Sequence, residues 1–204
     1  MSTPTADNPW LELRVEALRR AARGVLQIEL VQPQGQALPA FTAGAHIDVR
    51  VPGGRTRSYS LANAPSERHR YVLGVKVENP GRGGSRWLHE HLRVDSLLAV
   101  SAPINHFELD DGRAPAVLFA GGIGVTPIAS MAAHLRAIGR DFVLHYAVRE
   151  RVDAAFLVRW GDIALDTGDG RLQLHVDAEQ QGRVLDIAAL VKAAPADAHF
   201  YCCG

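Results

Sequence analysis

Apolar and polar residues alternate along the first half of the chain. Leu11, Leu13 and Val15 alternate with polar neighbours, Leu26, Ile28 and Leu30 with Gln27 and Glu29, and Ile47, Val49 and Val51 repeat the pattern up to a Pro52-Gly53-Gly54 turn. A period of two is that of half-buried strands. Two more strands are expected around Arg57 to Leu61 and at Tyr71, Leu73, Val75 and Val77. A short helix from Arg86 to Leu92, which Ser85 can cap, and a last strand near Leu97 to Ser101 complete this half. Some six short strands regularly punctuated by turns predict a small antiparallel barrel.

The rhythm changes after about Asp110. Apolar strand candidates at Val117–Ala120, Phe142–Val148, Leu172–Asp177 and His199–Cys203 alternate with helix candidates at Pro127–Ile138, Asp153–Trp160 and Leu185–Ala193. That alternation predicts a parallel, doubly wound sheet, so the fold class expected is β plus α/β. The division predicted is a flexible start over residues 1–10, the barrel over 11–110 and the α/β domain over 111–204, cut in the Asp110-Asp111-Gly112-Arg113 turn. His199 to Gly204 reads as a strand entering a glycine turn, where an α/β domain normally continues into a covering helix. The expectation is an incomplete domain, truncated at its C-terminal end, with a fragment favoured over a naturally short chain.

Composition narrows the function classes. With 204 residues, 47% of them hydrophobic, the chain can build two small cores. Its 22 basic and 22 acidic residues balance, which gives no reason to expect a nucleic acid or membrane partner. The polar start and the lack of a long apolar run point to a soluble cytoplasmic protein. Cys202 and Cys203 are the only cysteines, too few for a cysteine-ligated iron–sulfur cluster within these residues.

Three stretches carry candidate chemistry. Gly121-Gly122-Ile123-Gly124 follows the strand candidate at Val117 and precedes a helix start, with Thr126 able to cap and Pro127 at the first helical position. Free N–H groups and the helix dipole make such a turn an anion site. It is not G-x-G-x-x-G, since Pro127 stands at the third glycine position, and this disfavours a classical Rossmann dehydrogenase. In Arg57-Ser58-Tyr59-Ser60, the arginine fork suits a phosphate and the tyrosine ring a stacking partner, both on one side of a strand, with the two serines on the other. Gly83-Gly84-Ser85, flanked by Arg82 and Arg86, is a second glycine-to-helix start. Two anion sites, one per domain, fit two nucleotide-like cofactors meeting at a domain seam. His89, Glu90 and His91 lack the spacing that puts metal ligands on one helical face and read as a solvated surface. Cys203 as a nucleophile lacks an evident base.

In this order, the three stretches resemble the phthalate dioxygenase reductase and vanillate demethylase reductase group of the ferredoxin–NAD(P)H reductase superfamily, over about Leu11 to Gly204. Arg57 to Asn63 is similar to the flavin motif R-x-Y-S, Arg82-Gly83-Gly84-Ser85 to the flavin-phosphate turn, and Gly121 to Pro127 to the nicotinamide-nucleotide loop. Tyr201-Cys202-Cys203-Gly204 is similar to the start of the terminal nicotinamide motif. The resemblance implies a flavin-binding barrel followed by an NAD-binding domain. It assigns Arg57, Gly83, Gly84 and Ser85 to the flavin phosphate, Ser58, Tyr59 and Ser60 to the flavin's surroundings, with Ser60 near N5, and the backbone of Val75 and Lys76 to the ring. It implies FMN, with FAD as the alternative.

For NADH, the resemblance assigns Gly121, Gly122, Ile123 and Thr126 to the pyrophosphate and nicotinamide end, Arg149 to the nucleotide, Asp177 to the adenosine ribose, and Cys203 and Gly204 to the nicotinamide. A carboxylate at Asp177 favours NADH over NADPH, with nearby Arg183 pulling the other way. Ser60 and Cys203 would be positioning groups, and no metal is expected. The implied activity is that of an NADH-dependent flavoprotein reductase, passing electrons to an iron–sulfur protein or Rieske-type oxygenase component. The group's cysteine-rich ferredoxin domain falls outside these 204 residues, so a 2Fe-2S cluster is expected only in a missing domain or a partner protein. A flavin-binding or docking module without efficient NADH turnover is the alternative, and a non-flavin α/β protein with a fortuitous glycine turn stands behind both.

Overall fold

In the computed structural model, which describes residues 10–78, 80–81, 83–110, 112–157 and 163–204, the period-two segments become strands of one sheet. Residues 1–9 of the expected flexible start, Arg82 of the phosphate turn, Asp111 of the domain cut and the last three residues of the Asp153–Trp160 helix candidate lie outside the described residues. The elements are β1 (Leu11–Ala22), β2 (Val25–Val31), β3 (His46–Val51), β4 (Arg55–Ser60), β5 (Tyr71–Lys76), α1 (Gly84–His91) and β6 (Leu97–Val100). They pair antiparallel in the order β4-β3-β6-β1-β2-β5, and a bridge between Leu61 and Leu73 joins the two ends into a barrel. Leu13, Val15, Ile28, Leu30, Ile47 and Val49 point inward and are fully buried. Each such burial contributes about 1.5–3 kcal/mol, and a one-residue slip would turn the whole set outward, so the alternation fixes the register.

The second sheet is parallel, in the order β10-β7-β8-β9. Its elements are β7 (Ala116–Gly121), a 3-10 turn at Gly122–Gly124, α2 (Val125–Ala137), β8 (Phe142–Val148), β9 (Leu172–Val176), α3 (Ile187–Ala193) and β10 (His199–Cys203). Leu118 and Ala120 of β7 share a core with Ile128 and Met131 of α2, while Val117 and Phe119 pack with Leu185 and Leu190 on the other face. After β9 the chain returns to the far side of β7 as β10. The ends of β7 and β10 therefore border the point where strand order reverses, where α/β sheets open a crevice.

Three local expectations need correction. The helix after the glycine turn begins at Val125, with Gly124 in the capping position and no side-chain cap. Thr126 lies one residue inside and donates its hydroxyl to the Ile123 carbonyl at 3.1 Å, and Pro127 is the third helical residue, where its missing N–H still has no helical partner to lose. Likewise α1 is entered through Gly83 at φ +87°, a conformation open to glycine, and Ser85 lies inside the helix, its hydroxyl accepting from the Glu78 N–H. The described part of Asp153–Trp160 is not a helix. A 3-10 turn at Arg151–Asp153 leads into extended Ala154 and into Phe156 at φ +61°, and the backbone is used elsewhere: the Ala155 N–H donates to the Tyr146 hydroxyl, and the Phe156 carbonyl accepts from Leu165.

Candidate functional site

One corner of the barrel gathers positive charge on bare backbone. The Arg57 side chain lies across Gly84, where an added Cβ would sit 3.0 Å from its Cγ and 3.2 Å from its Nε, and Arg55 reaches the neighbouring Gly83. The first turn of α1 offers its free N–H groups at the same place. A cradle that a Cβ would fill, two guanidinium groups and a helix start fit a phosphate group.

β4 divides the predicted residues between two places. Tyr59 packs against the barrel core, and burial raises its hydroxyl to about 12, with Arg57 acting downward and Glu78 upward. Ser58 and Ser60, on the other side of the strand, line a cavity of about 490 Å³ together with His46, His106, Cys202 and Cys203. There the Ser58 hydroxyl donates to Asp48 at 2.5 Å. Burial lowers the His46 imidazole, reinforced by His106 and opposed by Asp48. Val75 is buried, and its carbonyl accepts from His89 Nε2 at 2.8 Å, so His89 is a half-buried strut rather than part of a solvated face.

A larger cleft, about 750 Å³, opens at the strand-order reversal. Gly121, Gly122 and Ile123 line it from the end of β7, and Cys202, Cys203 and Gly204 from the end of β10. The glycines have a steric cause. A Cβ on Gly124 would collide with the Cys203 carbonyl, and one on Gly121 would lie 3.2 Å from the Gly204 Cα. Burial, and secondarily Cys202, pushes the Cys203 thiol up, so it stays protonated at neutral pH and is no nucleophile.

Arg149 and Asp177 face this cleft from the ends of β8 and β9, and Lys76 and Arg23 from the barrel. Among the described residues, Lys76 and Arg149 have no ion-pair partner, leaving two cations for an anionic ligand. The turn that presents Asp177 is pinned by the Ala178 N–H on the Arg149 carbonyl at 3.1 Å and by a bidentate Arg151–Glu179 pair at 2.8 Å. Arg183, weighed beside Asp177, does not line the cleft.

The two cavities share a wall, since Cys202 and Cys203 border both. Ser60 of the barrel and the glycine turn of the second sheet thus converge on the end of β10. Thr126 does not join them. It is buried at the seam, with its methyl where a Cβ on Gly74 would come within 2.7 Å. Arg23 is a cleft residue that sequence reasoning missed, as are Asp153 and Cys202. It bonds Asp153 at 2.8 and 2.9 Å and Glu150 at 2.9 and 3.2 Å across the seam, and no local motif marks it.

No protein-family model matches this chain. It is 49% identical over 195 residues to the phenoxybenzoate dioxygenase subunit beta of Ectopseudomonas oleovorans, covering 95% of this chain and 59% of that one. It is 46% identical over 183 residues to a vanillate O-demethylase oxidoreductase of Pseudomonas putida, covering 90% and 56%. Among solved structures it matches phthalate dioxygenase reductase, a modular structure for electron transfer from pyridine nucleotides to 2Fe-2S, with a TM-score of 0.86 and 37% identity over 98% of this chain and 62% of that one. The chain spans about 60% of the length of such relatives.

Proposed function

We propose that this chain, a homologue of the phthalate dioxygenase reductase and vanillate demethylase reductase group with the ferredoxin reductase-like fold, is a flavin-dependent NADH oxidoreductase that serves an iron–sulfur centre of a Rieske-type oxygenase system. One observation carries this reading. The strand end at Cys202-Cys203 borders both cavities, so a dinucleotide lying on the glycine turn and a ring system beside Ser60 would meet there.

Each residue has a role that needs no acid or base. Arg57, Gly83, Gly84 and Ser85 hold the flavin phosphate, and Ser58, Tyr59, Ser60, Val75 and Lys76 frame the rest, with FMN favoured over FAD. Bound flavin supplies an acceptor for two electrons that can be returned one at a time. Gly121, Gly122 and Ile123 present bare backbone to the pyrophosphate, and Arg149 and Lys76 supply its countercharge. Thr126 contributes indirectly, by holding the glycine turn through Ile123. Asp177 accepts from the ribose hydroxyls and repels a 2′-phosphate. Cys203 and Gly204 bound the nicotinamide by shape, so the chain's contribution is orientation.

Protein reconstituted with FMN or FAD and mixed anaerobically with NADH tests this. The expected result is preferential retention of FMN and rapid bleaching of the flavin band. A yellow protein that NADH leaves unbleached would support a docking module instead, and a colourless protein that takes up no flavin would overturn the reading.

A further inference from the structure

Two segments run side by side where β8 and β9 end at the larger cleft. The chain leaving β8 carries Arg149, Glu150, Arg151 and Asp153, and the 3-10 turn Asp177–Gln180 that leaves β9 carries Asp177 and Glu179. The Ala178 N–H on the Arg149 carbonyl ties the two together, and the turn closes on itself through the Gly182 N–H on the Asp177 carbonyl at 2.8 Å. The charges of these segments are sorted. Arg149 and Asp177 face the cleft, while Arg23 takes up Glu150 and Asp153. Arg183, which follows the turn, does not line the cleft. The third cation of the two segments, Arg151, is forked through Nε and Nη2 onto both oxygens of Glu179, at 2.8 Å each. Each partner favours the charged form of the other: Arg151 holds the Glu179 carboxyl below its usual range, and Glu179 raises the Arg151 guanidinium. Both side chains are more than half exposed, at 62% and 51%, so the fold gains little from so specific a fork.

We infer that Glu179 is a specificity-determining residue of the cleft, which excludes a nucleotide carrying a 2′-phosphate by withholding Arg151 from it. The inference rests on the reading of the cleft as the NADH site, with Asp177 at the adenosine ribose. A phosphate on the 2′ oxygen would stand beside the Asp177–Gln180 turn and meet two carboxylates there. A guanidinium serves phosphate as readily as carboxylate, so the anion that holds Arg151 decides which nucleotide fits. An arginine that reaches Glu179, two residues past Asp177, is long enough to reach a phosphate on a hydroxyl that Asp177 would otherwise accept from. Asp177 thus acts by repulsion, and Glu179 acts both by repulsion and by occupying the cation that would reward the phosphate.

NAD+ and NADP+ differ by that phosphate alone and are the probes, titrated calorimetrically into the protein as purified. The wild type should bind NAD+ more tightly. In Glu179→Gln the ratio of the NADP+ to the NAD+ dissociation constant should fall at least about threefold, with NAD+ affinity and Tm unchanged. Arg151→Met alone should leave the ratio where it is, because the guanidinium is already engaged. In the double variant Glu179→Gln/Arg151→Met most of the gain should disappear, a coupling that a merely structural role for the pair would not produce. Rising ionic strength should shrink the gain, as for exposed charges. A ratio unmoved in Glu179→Gln would overturn the inference and leave the cleft a nucleotide site. A gain that persists undiminished without Arg151 would also overturn it, making Glu179 a source of repulsion alone. Failure of NAD+ to bind saturably would overturn the reading of the cleft and the inference with it.

Discussion

Gly124 is placed where the Cys203 carbonyl leaves no room for a methyl group. Gly124→Ala should therefore push the end of β10 away from the glycine turn and remove the shared wall of the two cavities. Overpacking of this kind costs about 1–3 kcal/mol, and here it falls on the cleft as well as on the fold. NAD+ affinity by calorimetry should drop at least about tenfold, with a lowered Tm; unchanged affinity would mean that the strand end yields freely. The role proposed for Asp177 rests on charge. In Asp177→Asn the ratio of kcat/KM for NADPH over NADH should rise about tenfold, equivalent to about 1.4 kcal/mol of removed repulsion. An unchanged ratio would remove Asp177 from cofactor selection. Residues with short-range signatures, such as the glycines and the Arg57 to Ser60 strand, could be found in the sequence because their chemistry is local. The place of Thr126 at the seam with Gly74 and the double engagement of Arg23 could not, since both depend on how two separately patterned halves meet.

Among the elements, β8 and β9 are joined by more than their ladder. His145 on β8 stacks on Phe119 at 5.4 Å, and its Nδ1 lies 3.1 Å from Nε2 of His175 on β9. One ring must donate and the other accept, so at least one of the two must be neutral and the bond is lost when both are protonated. Burial lowers both imidazoles below the usual histidine value, and for His145 the neighbouring His175 adds to the effect. Above pH 6.5 both folded and unfolded chains keep these rings neutral. As pH falls below that value the unfolded chain takes up protons first, so stability should decline until the folded pair is also protonated. Urea unfolding at pH 7.5 and 5.5 should show a loss that is smaller in His175→Gln, and an equal loss would exclude the pair as its source. The strands themselves were legible because alternation and burial are the same fact in a barrel, and because β7, β8 and β10 are short apolar runs between turn residues. The helix expected at Asp153 failed for a non-local reason: Asp153, the Ala155 N–H and the Phe156 carbonyl are all claimed by residues distant in sequence.

On the scale of the whole molecule, the two halves meet along a seam where Val25, Ala43, Ala62 and Val72 of the barrel join the core of the second sheet. Gly74 lies against Thr126 and Phe156, Gly44 against the Phe107 carbonyl, and Arg23 spans from the β1–β2 turn to Glu150 and Asp153. The barrel supplies one side of the larger cleft through Arg23 and Lys76, so the angle at this seam sets the cleft's width. Arg23 also neutralises two carboxylates beside a site proposed to take a pyrophosphate. Arg23→Ala should both loosen the seam and expose that negative charge. The expected outcome is a KM for NADH raised roughly three- to tenfold, as for the loss of a networked surface pair, with flavin content unchanged because the phosphate corner lies elsewhere. Arg23→Lys should recover part of the loss, since an ammonium cannot fork onto two carboxylates. Ionic strength separates charge from architecture. In the wild type, salt should weaken NADH binding by screening Lys76 and Arg149. In Arg23→Ala it should also relieve the repulsion from Glu150 and Asp153, so the gap between the two KM values should narrow as salt rises. A gap that is constant with salt would make Arg23 a mechanical clasp alone, and no gap at either ionic strength would show that the glycine contacts hold the seam unaided.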